Sequence, residues 1–307
     1  MRINAGDGEV HEMNSASPIE NSLWLRDLHW VMGSPFLMNP GGTESEGFSE
    51  MNGGEASKSE RLGLATGREE YTSHRVGYYF ESLVYHWLKE IRQVEILAHG
   101  QQIVQHGKTL GELDFVFRDE TGRLTHWEVA AKFYLHLSDG EVLGSHYIGS
   151  NAGDTFELKR DKIFSKQLPL SEKLFPECEV RKAFVKGRIF YHWGQTKLIR
   201  ELALPAGMAS HHLRGIWLRY SELSCWQSAM TAKVVRYHLI AKPHWLSACY
   251  FSSDEAPQWD FQTMEEYFKS HFSQQNQPLL ISVLSPHGDG WEECERMFVV
   301  AARWPEQ

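Results

Sequence analysis

From Gly111 to Leu137, GELDFVFRDETGRLTHWEVAAKFYLHL, hydrophobic and polar residues alternate with period two. Leu113, Phe115 and Phe117 alternate with Asp114, Val116 and Arg118. Further on, Trp127, Val129, Ala131, Phe133, Leu135 and Leu137 take the odd positions, and His126, Glu128, Ala130, Lys132, Tyr134 and His136 the even ones. Successive side chains of a strand leave opposite faces of its sheet, so this alternation predicts two half-buried strands. Asp119-Glu120-Thr121-Gly122 between them is turn chemistry, which makes an antiparallel hairpin. The pairing sets Asp114 on one sheet face with Glu128 and Lys132, and small Ala130 leaves room between the last two.

Elsewhere the period is helical. Val76, Phe80, Leu83, Val84, Trp87, Leu88 and Ile91 give a helix from about Thr72 to Arg92, with Glu81 at the edge of its apolar stripe. An earlier helix, capped by Asn21 or Ser22, runs through Met32 and stops at Gly33-Ser34-Pro35. A short strand falls within Val94–Val104. Asp154-x-x-Glu157 reads as a capping-box start for a helix to about Leu168, ended by Pro169. Phe156, Ile163, Phe164 and Leu168 form its apolar side, with Arg160 and Gln167 among them, and Lys159, Lys162 and Lys166 form a basic stripe. RKAFVKGR, Arg181–Arg188, is a second basic patch leading into a strand at Ile189–Trp193. Beyond it the pattern gives strands in Leu213–Leu223 and Val234–Ala241, and a short helix from Pro243. It closes with an amphipathic helix over Asp260–Gln274 and a hairpin of Leu279–Leu284 with Met297–Ala302. Met1 to about Asn21 reads as disordered, and Pro40–Lys58, rich in Gly, Ser and Glu, as a linker. The expected organisation is tail, helix and linker over 1–60, a core over 61–193, and a C-terminal α/β lobe over 194–307.

Two carboxylates on one sheet face raise each other's pKa unless a cation compensates them. Mg²⁺ commonly takes one or two carboxylates and completes its shell with water and phosphate oxygens. At Asp114, Glu128 and Lys132 the chain resembles the PD-(D/E)XK nuclease superfamily, whose signature is an acid on one strand and Glu-x-Lys on the next. More narrowly, GYYFESL, GELDFVF and WEVAAKFYL are similar to a bacterial family catalogued as a domain of unknown function (number 1853), over most of the chain. The resemblance implies a restriction-endonuclease-like α-β-β-β-α-β core. It further implies metal-dependent hydrolysis of phosphodiesters in nucleic acid, DNA first, with Mg²⁺ or Mn²⁺. Asp114 and Glu128 would then hold the metal, Glu81 a second ion or a water, and Lys132 would stabilise charge on the phosphoryl group. Lys159, Lys162 and Lys166 would steer the backbone, and Arg160 and Gln167 would position phosphate or a ligand. One departure stands: the residue two after the glutamate is Ala130, and Lys132 lies two further on, roughly 6–7 Å along the strand. A long side chain or a β-bulge bridges much of that gap. The alternative is a nuclease-fold module that binds nucleic acid or a protein partner and hydrolyses nothing.

Composition narrows the rest. A chain of 307 residues that is 42% hydrophobic supports a substantial core. Its net charge of −9 argues against indiscriminate coating of nucleic acid, though a local basic surface remains compatible with a nuclease. No apolar run approaches the roughly 20 residues of a membrane helix, and the N-terminus lacks the regions of a signal peptide. A cytoplasmic protein is expected. The four cysteines form no CxxC pair, so reduced thiols and no zinc site are expected. Neither a GxSxG elbow nor a phosphate-binding GxxxxGK[ST] loop occurs. The tryptophans offer stacking surfaces for unpaired bases, but core burial is their commoner use.

Overall fold

The computed structural model describes residues 18–41, 74–138, 140–195, 202–230 and 234–306, with side chains described from 23 onward. Most of the tail and of the Gly/Ser/Glu-rich linker lie outside the described residues. Helix α1 is Pro18–Gly33, and α2 is Val76–His86, prolonged by a π turn at Trp87–Ile91. The apolar stripe of α2 buries Phe80, Leu83, Val84, Trp87, Leu88 and Ile91, as its spacing requires. Strands β1 (Glu95–Gln105), β2 (Lys108–Arg118), β3 (Leu124–His136) and the short β4 (Tyr147–Gly149) follow. Helix α3 (Phe156–Lys162) runs on through a π turn, Ile163–Gln167, and a 3₁₀ turn, Leu168–Lys173, to β5 (Val180–His192).

The C-terminal part supplies β6 (Leu213–Arg219), α4 (Leu223–Ala229), β7 (Arg236–Leu239), β8 (Tyr250–Ser252), α5 (Phe261–Gln274), β9 (Leu279–His287) and β10 (Gly290–Val300). The architecture is mixed α/β. One sheet has the order β1-β2-β3-β5-β6-β10-β9-β7, with β4 on β3 and β8 on β10. The β3/β5, β5/β6 and β6/β10 pairs are parallel and the others antiparallel. The sheet therefore continues without a break across residue 193. Helices α1 and α2 share a core with Trp127, Phe184, Trp245 and Phe298. Phe156 and Ile163 of the α3 run cover Tyr134, Val185 and Tyr191, in a cluster separate from that core. Met264 and Phe268 of α5 pack on Ile281 and Met297.

Four local readings change. The α3 cap is Thr155, whose hydroxyl accepts from the Leu158 N–H at 3.3 Å, while the Asp154 carboxylate is engaged by Lys132 instead. Pro169 does not end the helical run; it sits in the first turn of the 3₁₀ segment, where its missing N–H costs nothing. The Arg181–Arg188 patch is the interior of β5. There Lys186 is 2% exposed, and its ammonium donates to the carbonyls of Ser34 (2.6 Å) and Met32 (3.4 Å). That contact and the Phe36–Phe184 ring pair fasten the segment after α1 to β5. No helix forms at Pro243; a loop there carries Trp245 and Ser247. Within β5 only glycine suits position 187, because a Cβ would stand 1.7 Å from the Lys132 carbonyl oxygen at φ +147°.

Candidate functional site: carboxylates at a fork in the sheet

Strands β2 and β3 pair only from Arg118↔Leu124 to Phe115↔Trp127. Beyond that point β2 stays with β1, while β3 stays with β5 as far as His136↔Tyr191. On its other edge β3 has no ladder partner among the described residues until β4 joins at Tyr134. Asp114 sits at this fork. Its Oδ2 accepts from the Val129 N–H at 2.8 Å, taking the place of the next strand hydrogen bond. A strand position poor for aspartate is thereby explained: the side chain closes the ladder where the strands separate.

Glu128, 1% exposed, lies beside it. Its Oε1 faces His126 Nε2 at 3.1 Å, and its Oε2 accepts from the Gln167 side-chain N–H. The backbone N–H and the side chain of Asp114 also approach Glu128 closely enough to favour its charged form. Burial pushes Asp114 up to about 7, and the negative charges of Glu128 and Glu81 add to the shift. Burial likewise pushes Glu128 up to about 7, opposed by Lys159 and by the contacts with Asp114. Buried His126 is pushed down to about 4 and is neutral at neutral pH. Facing ionised Glu128 it donates through Nε2–H, and its Nδ1 lies 3.1 Å from the oxygen of Ser171, whose hydroxyl donates to the Leu168 carbonyl at 3.1 Å. Arg181 supports Ser171 from behind, at 2.9 Å.

The π turn brings the α3 side chains into this arrangement. Widening the turn by one residue removes the seven-residue alignment of Arg160 with Gln167 and brings Lys159 over Gln167. Lys159 Nζ accordingly lies 3.3 Å from Gln167 Oε1, in a chain Lys159–Gln167–Glu128. Burial lowers the Lys159 pKa, Lys132 lowers it further, and Asp114 and Glu128 raise it. Arg160 turns away, donating to Asp161 (2.9 and 2.6 Å) and to the Ala206 carbonyl (2.8 Å). Phe164 is likewise half-exposed, set against Gly41 and not in the core. Lys162 is exposed and contributes a long-range positive charge to Glu128; Lys166 is also exposed.

Glu81 and Lys132 are placed differently. Glu81 raises the pKa of Asp114 electrostatically, yet its Oε1 is paired with His99 at 3.0 Å. The His99 ring stacks between Tyr85 and Phe115. Lys132 occupies the same strand parity as Glu128, but its ammonium pairs with Asp154 Oδ2 at 2.7 Å, which Tyr134 also approaches at 3.3 Å. Asp114 and Glu128 thus meet, with Lys159 as their nearest cation, while Lys132 belongs to the next site along the strand. Among the described residues no group of three His, Cys, Asp or Glu side chains is placed to hold a metal ion. The donors that do meet are two carboxylates, Asp114 half-buried and Glu128 fully buried. The pattern singled out neither His126 nor His99, and it marked Asp154 as a helix cap and not as a partner of Lys132. The signal for His126 was present, since it shares the even parity of Glu128; the other two come from elements whose packing no local period reveals.

Fold and site define a mixed α/β protein with a pair of buried carboxylates at a divergence of its strands. Residues 26–300 match the family described as Domain of unknown function (DUF1853), and the chain belongs to that family. No curated protein and no solved structure matches it. No helix of the described residues is long and apolar enough to cross a membrane.

Proposed function

We propose that this protein is a metal-dependent phosphodiesterase acting on nucleic acid, with DNA the first substrate to test, and that its site is of the PD-(D/E)XK type. One observation carries this reading: half-buried Asp114 and fully buried Glu128 converge at the fork between β2 and β3, each with its pKa raised by burial. The order α2-β1-β2-β3-β4-α3-β5 supports it: apart from the three-residue β4 it is the element order the superfamily resemblance implies. Asp114 and Glu128 would hold Mg²⁺ or Mn²⁺, and Glu81 would join them on leaving His99. The ion, when bound, supplies Lewis acidity and lowers the pKa of a water. His126 and Gln167 orient the Glu128 carboxylate, as partners behind a ligand do. Lys159 takes the part expected of the signature lysine, offering an ammonium to the phosphoryl oxygens beside the two carboxylates. Lys162 and Lys166 extend the positive surface for backbone phosphates.

The direct test is cleavage of supercoiled and linear DNA with Mg²⁺ or Mn²⁺, with and without EDTA. Turnover that needs the ion is expected. Absence of turnover with every ion, together with binding that survives EDTA, would establish the alternative: a module that binds nucleic acid or a protein partner and hydrolyses nothing. The engagement of Lys132 by Asp154 is the observation that favours this second reading.

The two lysines give a sharper test. Lys159→Met is expected to lower kcat roughly tenfold or more, the effect of losing one charged stabilising group. Lys132→Met should leave kcat within about threefold and act mainly on KM. The reverse ranking would return the signature role to Lys132.

A further inference from the structure

A cavity of about 500 Å³ opens where the unpaired edge of β3 meets the start of α2 and the loops after β4 and β7. This is the size of a small-ligand pocket. Three cations line it, Arg75, Lys132 and Lys242, against one carboxylate, Asp154. In a chain of net charge −9, three cations against one carboxylate among the described residues of a single cavity run against the overall balance. The cations come from separate elements and are set differently. Lys132 is pinned by Asp154 at 2.7 Å, and Lys242 lies 4.8 Å from the Trp245 ring centre. Asn151 adds a polar amide to the wall, and Trp245 an apolar one.

We infer that this cavity binds a phosphate monoester. Such a group carries about −1.5 to −2 at neutral pH, against −1 for each internal phosphodiester, so it matches the surplus charge. Its oxygens can accept from Arg75 in paired fashion and from the two ammonium groups. Asp154 fixes the Lys132 ammonium at the cavity wall, at 2.7 Å. The cavity also communicates with the carboxylate pair: Lys132 is near enough to Lys159 to lower its pKa, and Lys159 bears on both Asp114 and Glu128. Lys132 lies four residue steps along β3 from Glu128, about 13 Å of strand. A nucleic-acid strand whose terminal phosphate occupied the cavity would present its end-proximal linkages to Asp114 and Glu128. The assignment to a strand end rests on the proposed phosphodiesterase function, whereas the affinity for a monoester does not.

The test is fluorescence anisotropy in EDTA at low salt, so that no turnover is needed. Its probes are a short labelled oligonucleotide bearing a terminal phosphate at either end, the same strand with hydroxyl ends, and AMP and adenosine as competitors. A terminal phosphate should tighten binding tenfold or more, in wild type and in Asp114→Asn alike. Lys242→Gln and Arg75→Gln, both exposed positions, should each remove most of that preference. Competition by AMP but not adenosine, with no preference for strand ends, would support the monoester site and assign it to free mononucleotides. Equal affinity for phosphorylated and hydroxyl ends together with no competition by AMP would overturn the proposal, whatever the cleavage assays show.

Discussion

At pH 8 the Asp114→Asn variant is expected to melt above wild type and to have lost at least about a hundredfold of metal-dependent hydrolysis. The second half follows from its place: partners behind a metal ligand cost 10–100-fold when removed, so a ligand itself costs no less. The first half follows from linkage. Asp114 and Glu128 are both raised to about 7, Asp114 by burial, then by Glu128 and Glu81, and Glu128 by burial. Between the unfolded values near 4 and the folded values near 7, the native state binds more protons than the unfolded chain. Stability contributed by this pair therefore falls as pH rises through that window, and the penalty is complete above it. Asparagine removes the Asp114 charge that burial penalises and keeps an oxygen for the Val129 N–H. A shift of about three units corresponds to about 4 kcal/mol, and sharing within the pair leaves about 2–4 kcal/mol, or roughly 4–10 °C. Calorimetry at several pH values reads it: the gap should be widest at pH 8 and close toward pH 4. Mn²⁺ should then raise the melting temperature of wild type at pH 8 and leave the variant unmoved. A gap that is absent, or constant with pH, would mean that the two carboxylates do not share a buried site.

The pairing behind this expectation was legible because it depends on a period of two. Parity along β2 and β3 placed Asp114 and Glu128 on one face, and the turn at Asp119–Gly122 fixed which residues oppose each other. The chain gave no local sign of where β2 and β3 part, although Asp114 sits at that divergence. It depends on β1 holding β2 and β5 holding β3, two pairings set by distant segments. The lysine shows the same limit. Parity put Lys132 with Glu128, but Asp154 lies on a loop after β4 and competes for it. Lys159 reaches the carboxylates because the α3 run widens into a π turn, and a period of 3.6 assigns that stripe to solvent. Lys186 shows how a string of basic residues misleads: its ammonium is satisfied by two backbone carbonyls and never reaches the surface. The tryptophans went the commoner way, with Trp217, Trp226, Trp245 and Trp304 each under a tenth exposed.

The largest loss of stability is expected from Arg296→Met, with Asp27→Ala close behind. Arg296 is 1% exposed in β10, and its guanidinium donates to both oxygens of Glu293 and to the carbonyls of Trp245, Leu246 and Ser247. Burial alone would raise the Glu293 pKa, but Arg296 outweighs it and holds the carboxyl below its ordinary value. From the opposite side, Asp27 of α1, fully buried, accepts from the Ser247 N–H (2.9 Å) and hydroxyl (2.6 Å) and from the Tyr79 hydroxyl (3.0 Å), and lies 3.2 Å from His244. One loop is thus held between the first helix and the last strand. Methionine at 296 keeps the bulk but strands Glu293 and three carbonyls in a dry interior, at a cost of about 3–5 kcal/mol. Adding Glu293→Gln to Arg296→Met should recover at least about 1 kcal/mol, because the stranded charge is then gone; independent sites would instead give additive losses. Urea unfolding of the four proteins in this cycle measures the coupling. Because Trp245 also lines the phosphate cavity, Arg296→Met should loosen that wall while leaving the hydrogen bond from Val129 to Asp114 in place. Losses that simply add would show that the buried charges of Arg296 and Glu293 do not act as a pair.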